Sequence, residues 1–459
     1  MDRKPSRKLF RPRLDEMVSS IRNQILTGLL APDQYLPSEK QLADQYGLSV
    51  QSVRKGLDLI VEEGLIVKVP KVGSKVVDPA EKGAVTIRLG YAPSIPDDLE
   101  IFQLIALFER AYPNIHVQAV PLSGFSYSQM KPFLDSGLVD VITLNYENFK
   151  EMTEDGHWED LEGLERQPEL YPFLSDAFTH EGELRIQPFA FSPLILCYNR
   201  RHFAEQGLQE PNSSWSWERL IECAEQLDIP NERVSFHCYF STMHRASLFL
   251  MQQGKRFEYS EDGHIRLAGT PMMEAIRHSL EIYRHSPLLP NSLMSWESQK
   301  LDMFKQGKLS IAIMSYFILN HFRETELDYD IAPVPHSGEA LTVLIILGLA
   351  VSRQSRNKEA AKKLVDFMIS SEAQLAIRQN TCSLPARVTA AEWSGPDARP
   401  INRPSRFSMF REIMPSFRLY TDLSISDQRF RQLFSELRLY WAGLKSEEEL
   451  CGQVESWSK

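Results

Sequence analysis

Ser49, Gln51, Ser52 and Arg54 lie within six residues of one another, in "SVQSVRKGLDLIVEEG", residues 49–64. Hydroxyls and an amide can donate to or accept from base edges, and a guanidinium pairs with phosphate or guanine. The chemistry these types offer together is recognition. Glu62 and Glu63 end the stretch, so charge runs from basic to acidic along it. A helix here would put its free N–H groups and the positive end of its dipole at Ser49, where phosphate is favoured. The two glutamates would then face away from a duplex. Lys68, Lys71 and Lys75 follow along "LIVKVPKVGSKVV".

The elements that must position these side chains are legible upstream. Leu14, Val18, Ile21 and Ile25 recur at helical spacing and predict a helix over 14–29 with one apolar face. Ser38 is placed to cap a second helix, with Glu39 in its first turn and Leu42, Ala43 and Tyr46 inward. Gly47 suits the tight turn that ends it. Ser49 caps a third helix, whose inward face is Val53, Leu57, Ile60 and Val61. Two short helices joined through a glycine turn form a helix-turn-helix, and Ala43 is small enough for them to cross closely. Two β-branched runs, 65–69 and 74–77, flank Pro70–Gly73 and read as a hairpin. Helix, helix-turn-helix, then hairpin is the order of a winged helix, whose reading helix enters the major groove by its N-terminal half.

The chain has 459 residues, which predicts two to four structural units. Hydrophobic content of 43% and charged content of 24% are ordinary for a globular protein. Residues 1–78 hold 13 Lys and Arg against 10 Asp and Glu; the rest hold 38 against 51. A basic module is joined to an acidic one. Cys197, Cys223, Cys238, Cys382 and Cys451 form no C-x-x-C pair and read as reduced thiols, not metal ligands. No metal and no cofactor are expected. The basic start, "MDRKPSRKLFRPRLDEM", has no apolar run behind it of the kind a secretory signal needs. "ALTVLIILGLAVS", residues 340–352, is too short to cross a bilayer and reads as a buried strand. The expectation is a cytoplasmic protein without a membrane partner.

A short polar linker, "DPAEKGA", begins at Asp78. "VTIRLGYAPS" then reads as a strand entering a loop. "IFQLIALFERAYPNIHVQAVPL" reads as a helix and a strand, and "MKPFLDSGLVDVITLNYENFKEM" as helix, strand and loop. The alternation begins an α/β sheet.

"LPSEKQLADQYGLSVQSVRKGLDLIVEEGLI" resembles the GntR-type bacterial regulators. The resemblance covers residues 11–78. It places Lys40 where the family has Arg after the PSE run, Ser49, Ser52 and Arg54 on the family's Ser, Thr and Arg, and Gly73 on its wing-tip glycine. Val50 stands where relatives often carry a base-reading arginine. That loses a bidentate guanine contact and leaves recognition to Gln51, or to apolar contact of Val50 with a thymine methyl. The "PG" that commonly precedes "LPSE" is altered to Asp33–Gln34. With Ser38 at the cap and Lys71 on the wing, the expected DNA contacts are Ser38, Lys40, Ser49, Val50, Gln51, Ser52, Arg54, Lys71 and Gly73.

From residue 85 onward the order of features resembles the family 1 solute-binding proteins of ABC transporters. The resemblance rests on "QPFAFSPLILCYNRRHFAEQGLQEPNSSWSWERLIECAEQL", "WESQKLDMFKQGKLSIAIMSYFILNHF", "APVPHSGEALTVLIILGLAVSRQSRNKEAAKKLVDFMISSEAQ" and "SLPARV". Together the two resemblances imply a multidomain chain. A winged helix (α+β) occupies 1–78 and a linker 79–84. A two-lobed α/β periplasmic-binding-protein-like fold of type II occupies 85–459. Lobe 1 is then 85–189 with 341–390, and lobe 2 is 190–340 with 391–459. A small-molecule cleft is expected between the lobes, closing by hinge motion. Its expected contacts come from strand-to-loop corners: Tyr91, Ser94, Asp97, Asn145, Tyr146, Ser192, Tyr239, Trp296, Ser315, Tyr316 and Arg387. Tyr316 takes the place of the family's Trp. Aromatic rings suit sugar faces, and Asn, Asp and Arg suit hydroxyls.

The expected function is a DNA-binding transcription regulator whose second domain senses a carbohydrate, a mono- or oligosaccharide. The expected partners are a double-stranded DNA operator and a second copy in a homodimer. The alternative is the solute receptor of an ABC sugar transporter. GntR-type modules also occur fused to aminotransferase-like domains, but no lysine motif for a pyridoxal phosphate Schiff base is present, so no enzyme is expected.

Overall fold

Apolar residues three and four apart make α1, Phe10–Leu26, and bury Met17, Val18, Ile21 and Ile25. The computed structural model describes residues 10–26, 29–62, 64–69, 72–77, 85–122, 126–238, 243–253, 256–285 and 297–457. The chain folds as two units. One holds residues 1–88 with 109–118; the other holds 89–108 with 119–459. Each is taken by itself. The expected linker, 79–84, lies outside the described residues.

In the first unit, Ser38 caps α2, Glu39–Tyr46. Its hydroxyl accepts from Gln41 N–H, and Gln41 Oε1 accepts from Ser38 N–H in return. This capping box satisfies two amides that the first turn leaves unpaired. Gly47 ends α2 in the left-handed conformation, φ 62°, which glycine adopts without strain. Helix α3, Val50–Glu62, buries Val53, Leu57 and Ile60 against α1 and α2. Gly56 lets α1 come close, since a Cβ there would meet Met17 Cε at 2.4 Å. Strands β1, Ile66–Val69, and β2, Gly73–Val76, pair antiparallel. The chain at 33–36 adds to β2 through Leu36 N–H to Ser74 O and Val76 N–H to Gln34 O.

The larger sheet is mixed. Its strands are β3 (Val85–Tyr91), β4 (Ile115–Pro121), β5 (Val141–Asn145), β6 (Gln187–Asn199), β7 (Val234–His237), β8 (Leu309–Ser315), β9 (Tyr329–Ala332) and β10 (Thr342–Val351). The order is β4-β3-β5-β10-β6-β8-β7, with β9 also on β6. All thirteen residues of β6 are buried, as its near-continuous apolar run requires of a strand covered on both faces. Along its length β6 changes partner. Residues 187–193 pair with β10; residues 194–199 pair with β8 and β9. One strand thus runs through both halves of the sheet. A bulge at Leu347–Gly348 offsets the β10 register, and a Cβ on Gly348 would lie 2.4 Å from Ile186 Cγ2. The run expected as a buried strand over 340–352 is β10. All five cysteines are free and buried.

Candidate functional site

Ser49 just before α3, and Val50, Gln51, Arg54 and Lys55 in its N-terminal half, are exposed; Asp58 and Leu59 are exposed further along. Val50 is 38% exposed, and Val72 beside the wing glycine Gly73 is 64% exposed. Ser38 and Lys40 are also exposed. Ser52 is buried, and its hydroxyl bonds to that of Ser49 at 2.7 Å. Ser52 N–H donates to Ser49 Oγ at 3.2 Å, so this pair shapes the helix start. Lys71 lies outside the described residues. Three cations of this face hold carboxylates of the same module. Arg54 Nε meets Glu39 at 2.7 Å, Lys75 meets Asp33 at 2.6 Å, and Lys68 meets Asp58. Exposed pairs of this kind contribute about 0–1 kcal/mol each, so a phosphate can displace them.

In the second unit, strand register brings most of the expected ligand residues to one place. β5 runs antiparallel to β10, β10 to β6, and β6 to β8. The carboxyl ends of β5 and β8 therefore point at each other across the middle of β6. Asn145 is level with Leu347 and hence Ala190; Ser315 is opposite Leu194; Ser192 lies between them. Tyr91 ends β3, which runs parallel to β5. Arg387 follows the short strand Leu384–Pro385, which pairs with Phe191 and Ala190. Crevices outside the carboxyl ends of strands are where open α/β sheets hold ligands.

The side chains are largely engaged within the fold. Ser192 is fully buried and its hydroxyl accepts from Phe317 N–H at 3.1 Å. Tyr316 is fully buried, donates to Phe407 O at 3.0 Å, and meets Phe407 and Phe410 edge-on. Ser315 is buried. Asn145 caps the helix Tyr146–Glu154, accepting from Asn148 N–H at 2.8 Å. Tyr91 packs edge-on against Phe102, and burial raises its phenol pKa. Arg387 donates to Ile369 O. Ser94 and Asp97 are exposed, Ser94 just before and Asp97 within the short helix Ile95–Leu99 that follows β3, and Asp97 O accepts from Arg323. Tyr239 and Trp296 lie outside the described residues.

Tyr146 leads to a cavity that sequence reasoning missed. Its phenol, 6% exposed, is within 2.9 Å of Thr421 Oγ1, and burial pushes its pKa up to about 12. Thr421 lines a cavity of about 240 Å³, with Lys150 and Glu154 on one wall and Tyr259 and Arg429 on the other. The first wall is the helix after β5. The second belongs to the body around β7 and β8. There the helix Asp427–Trp441 packs on Met243–Met251, and Trp441 donates to Ser279. Both Glu154 oxygens accept from the first amides of that helix, Asp427 N–H at 2.8 Å and Gln428 N–H at 3.3 Å. A second chain runs beside it: Glu151 to Arg431, Arg431 to Asp427, and Tyr420 to Asp427 at 2.6 Å. Burial first, then Asp427, raises the Tyr420 pKa. Elsewhere in this unit, Asn320 Nδ2 donates to Asp98 O and Ser383 Oγ, while Glu100 pairs with Arg323 and Arg399. Tyr146, Lys150 and Glu154 are four residues apart on one helix face, a spacing visible in the sequence. Thr421 and Arg429 carry no such signal.

The comparisons with known proteins decide the family. Residues 103–401 match the model described as "Bacterial extracellular solute-binding protein". The chain belongs to that solute-binding family. Its N-terminal module, residues 14–76, matches "Bacterial regulatory proteins, gntR family". Over 326 residues this solute-binding family member is 24% identical to the ABC-transporter periplasmic-binding protein YcjN of Escherichia coli (strain K12), covering 65% of this chain and 72% of that one. Over 64 residues it is 38% identical to the HTH-type transcriptional repressor NagR of Bacillus subtilis (strain 168), covering 14% and 26%. In fold it is similar to the substrate-binding protein Lmo0181 of Listeria monocytogenes, solved with cycloalternan, at a TM-score of 0.68 and 21% identity over 81% of this chain and 97% of that one. Maltose-bound MalE3 of T. maritima gives 0.67 at 17% identity, over 81% and 98%. The architecture is therefore a GntR-type helix-turn-helix module followed by a two-lobed binding-protein fold. Among the described residues no helix is long and apolar enough to cross a membrane, and no cluster of His, Cys, Asp and Glu could hold a metal ion.

Proposed function

We propose that this solute-binding family member is a transcription regulator of the cytoplasm, with no catalytic activity. Its winged helix binds duplex DNA, and its two-lobed unit binds a small carbohydrate that alters operator affinity. The observation that carries the reading is the exposed row Ser49, Val50, Gln51 and Arg54 at the front of α3, in the same chain as a two-lobed binding fold. The row offers polar and apolar contacts to base edges, and Lys40, Arg54 and Lys75 offer charge to the backbone. A homodimer on a palindromic operator is the arrangement in which a ligand-driven rotation changes half-site spacing and hence affinity.

The reading is tested by selecting a duplex from a random pool with the full chain, then measuring affinity with and without mono- and oligosaccharides. A sequence-selective duplex whose affinity shifts with one sugar supports it. No selection above nonspecific binding sinks the DNA half, and binding of a sugar without any effect on DNA affinity sinks the coupling.

A further inference from the structure

The cavity between the helix Tyr146–Glu154 and residues 421–429 differs in charge from a site for a neutral sugar. Two cations line it, Lys150 and Arg429, against one carboxylate, Glu154. That carboxylate already accepts two backbone N–H bonds from Asp427 and Gln428. The carboxylates behind it are engaged as well. Asp427 accepts from Tyr420 and Arg431, Glu151 accepts from Tyr127 N–H and Ser128 N–H and pairs with Arg431, and Asp422 accepts from Leu419 N–H. Lys150 has no carboxylate within ion-pair distance among the described residues; its ammonium lies 6.0 Å from the Phe149 ring centroid. Arg429 donates to Gln432 and lies over Trp457, which fixes its side chain at the cavity edge. The Tyr259 ring forms the remaining wall, held by its hydroxyl bond to Ser424 O at 2.9 Å.

We propose that this cavity binds a phosphorylated monosaccharide, with the phosphate between Lys150 and Arg429 and the sugar ring against Tyr259. The proposal rests on the regulator reading above and names the ligand class of its sensing unit. A cavity of about 240 Å³ lies below the roughly 300–1,000 Å³ of drug-sized sites, which limits the occupant to one ring and a substituent. Ammonium and guanidinium groups make their strongest contacts with ionised oxygens, and a ring face suits an aromatic wall. Because Lys150 and Arg429 stand on opposite walls, a phosphate held by both adds a bridge between the two halves, beside the Glu154 cap.

The full chain is titrated with glucose 6-phosphate, glucose and inorganic phosphate by calorimetry, and followed by thermal melting. Glucose 6-phosphate is expected to bind at least tenfold more tightly than either of the others. Lys150→Met and Arg429→Gln are each expected to weaken it about tenfold or more, the loss of one charge-assisted contact, without lowering the melting temperature of the unliganded protein by more than a few degrees. Should Arg429→Gln unfold the protein, the half-buried Lys150 site alone decides. Equal binding of glucose and glucose 6-phosphate, or binding that survives Lys150→Met, overturns the proposal. Equal binding of inorganic phosphate overturns the carbohydrate part. Failure of all three probes to bind also overturns it. The regulator reading stands or falls separately, on whether DNA affinity responds to any sugar.

Discussion

Replacing Glu39 by Gln isolates the internal neutralisation of the DNA face. Glu39 holds Arg54 at 2.7 Å, with 61% of the arginine side chain and 32% of the glutamate side chain exposed. The amide keeps the size and removes the charge. An exposed pair contributes about 0–1 kcal/mol, and an acidic residue in the first turn of α2 adds a few tenths through the helix dipole. The folded module is therefore expected to lose at most about 1 kcal/mol. DNA binding is expected to move the other way. At about 5 Å in water a carboxylate repels a phosphate by about 0.8 kcal/mol, so its removal strengthens binding roughly fourfold at low salt. If the freed Arg54 neutralises one further phosphate, the slope of log K against log salt steepens by about 0.9. Fluorescence anisotropy on a labelled duplex between 50 and 200 mM salt, with wild type and variant in parallel, reads both quantities. A variant that binds more weakly with an unchanged slope would refute the reasoning, because Glu39 would then be positioning Arg54 for DNA instead of competing for it.

Four further outcomes are expected. Val50→Arg should shift the preferred base opposite residue 50 toward guanine by about 1–3 kcal/mol in a selection from random duplexes; an unchanged preference removes residue 50 from the bases. Gly56→Leu should overpack Met17, Leu14 and Val18 by at least about 1–3 kcal/mol and lower the melting temperature of the N-terminal module while sparing the larger unit. His202 is buried with Nδ1 2.9 Å from Ser310 Oγ, and burial, with Arg233, pushes its pKa down to about 4. The unfolded chain takes up this proton near pH 6.5 and the folded one only near 4. Stability should therefore fall as pH drops through that window, by up to about 3 kcal/mol, and His202→Gln should flatten the decline in denaturant titrations. Glu154→Ala should leave the first amides of the helix Asp427–Trp441 without their cap, at about 1 kcal/mol, and enlarge the radius of gyration measured by X-ray scattering.

Short-range patterns in the chain were the most readable. Ser38 as the cap of α2, Gly47 at its end, and Val53, Leu57 and Ile60 on one face of α3 are local choices that hydrogen bonding and helical periodicity dictate, whereas the return bond from Gln41 was not read. The β10 run was legible for the same reason, since an apolar stretch too short for a membrane has to be buried. The convergence of strand ends at β6 was legible only through resemblance, because register is set by pairing between residues far apart in the chain. What the ends do there was not legible. Whether an aromatic at a strand end meets ligand or core depends on what the chain brings over it. For Tyr316 that is Phe407 and Phe410, about 90 residues later. Ser52 reads as a base contact by type, but its hydroxyl turns to Ser49. The cavity at Lys150 and Glu154 was missed, although half of its lining left a signal. Their spacing from Tyr146 marks a shared helix face, whereas Thr421 and Arg429 arrive from the last 40 residues through packing alone.

The proposed function requires coupling between the two units of one chain. The direct measurement is the affinity of the full-length protein for its selected duplex, at fixed salt, with and without a saturating concentration of a carbohydrate that calorimetry shows to bind. The expected change is about 5–150-fold, the range of a coupling free energy of about 1–3 kcal/mol, with the same factor in carbohydrate affinity when duplex is present. Equal duplex affinity in both conditions, with the carbohydrate demonstrably bound, would contradict it.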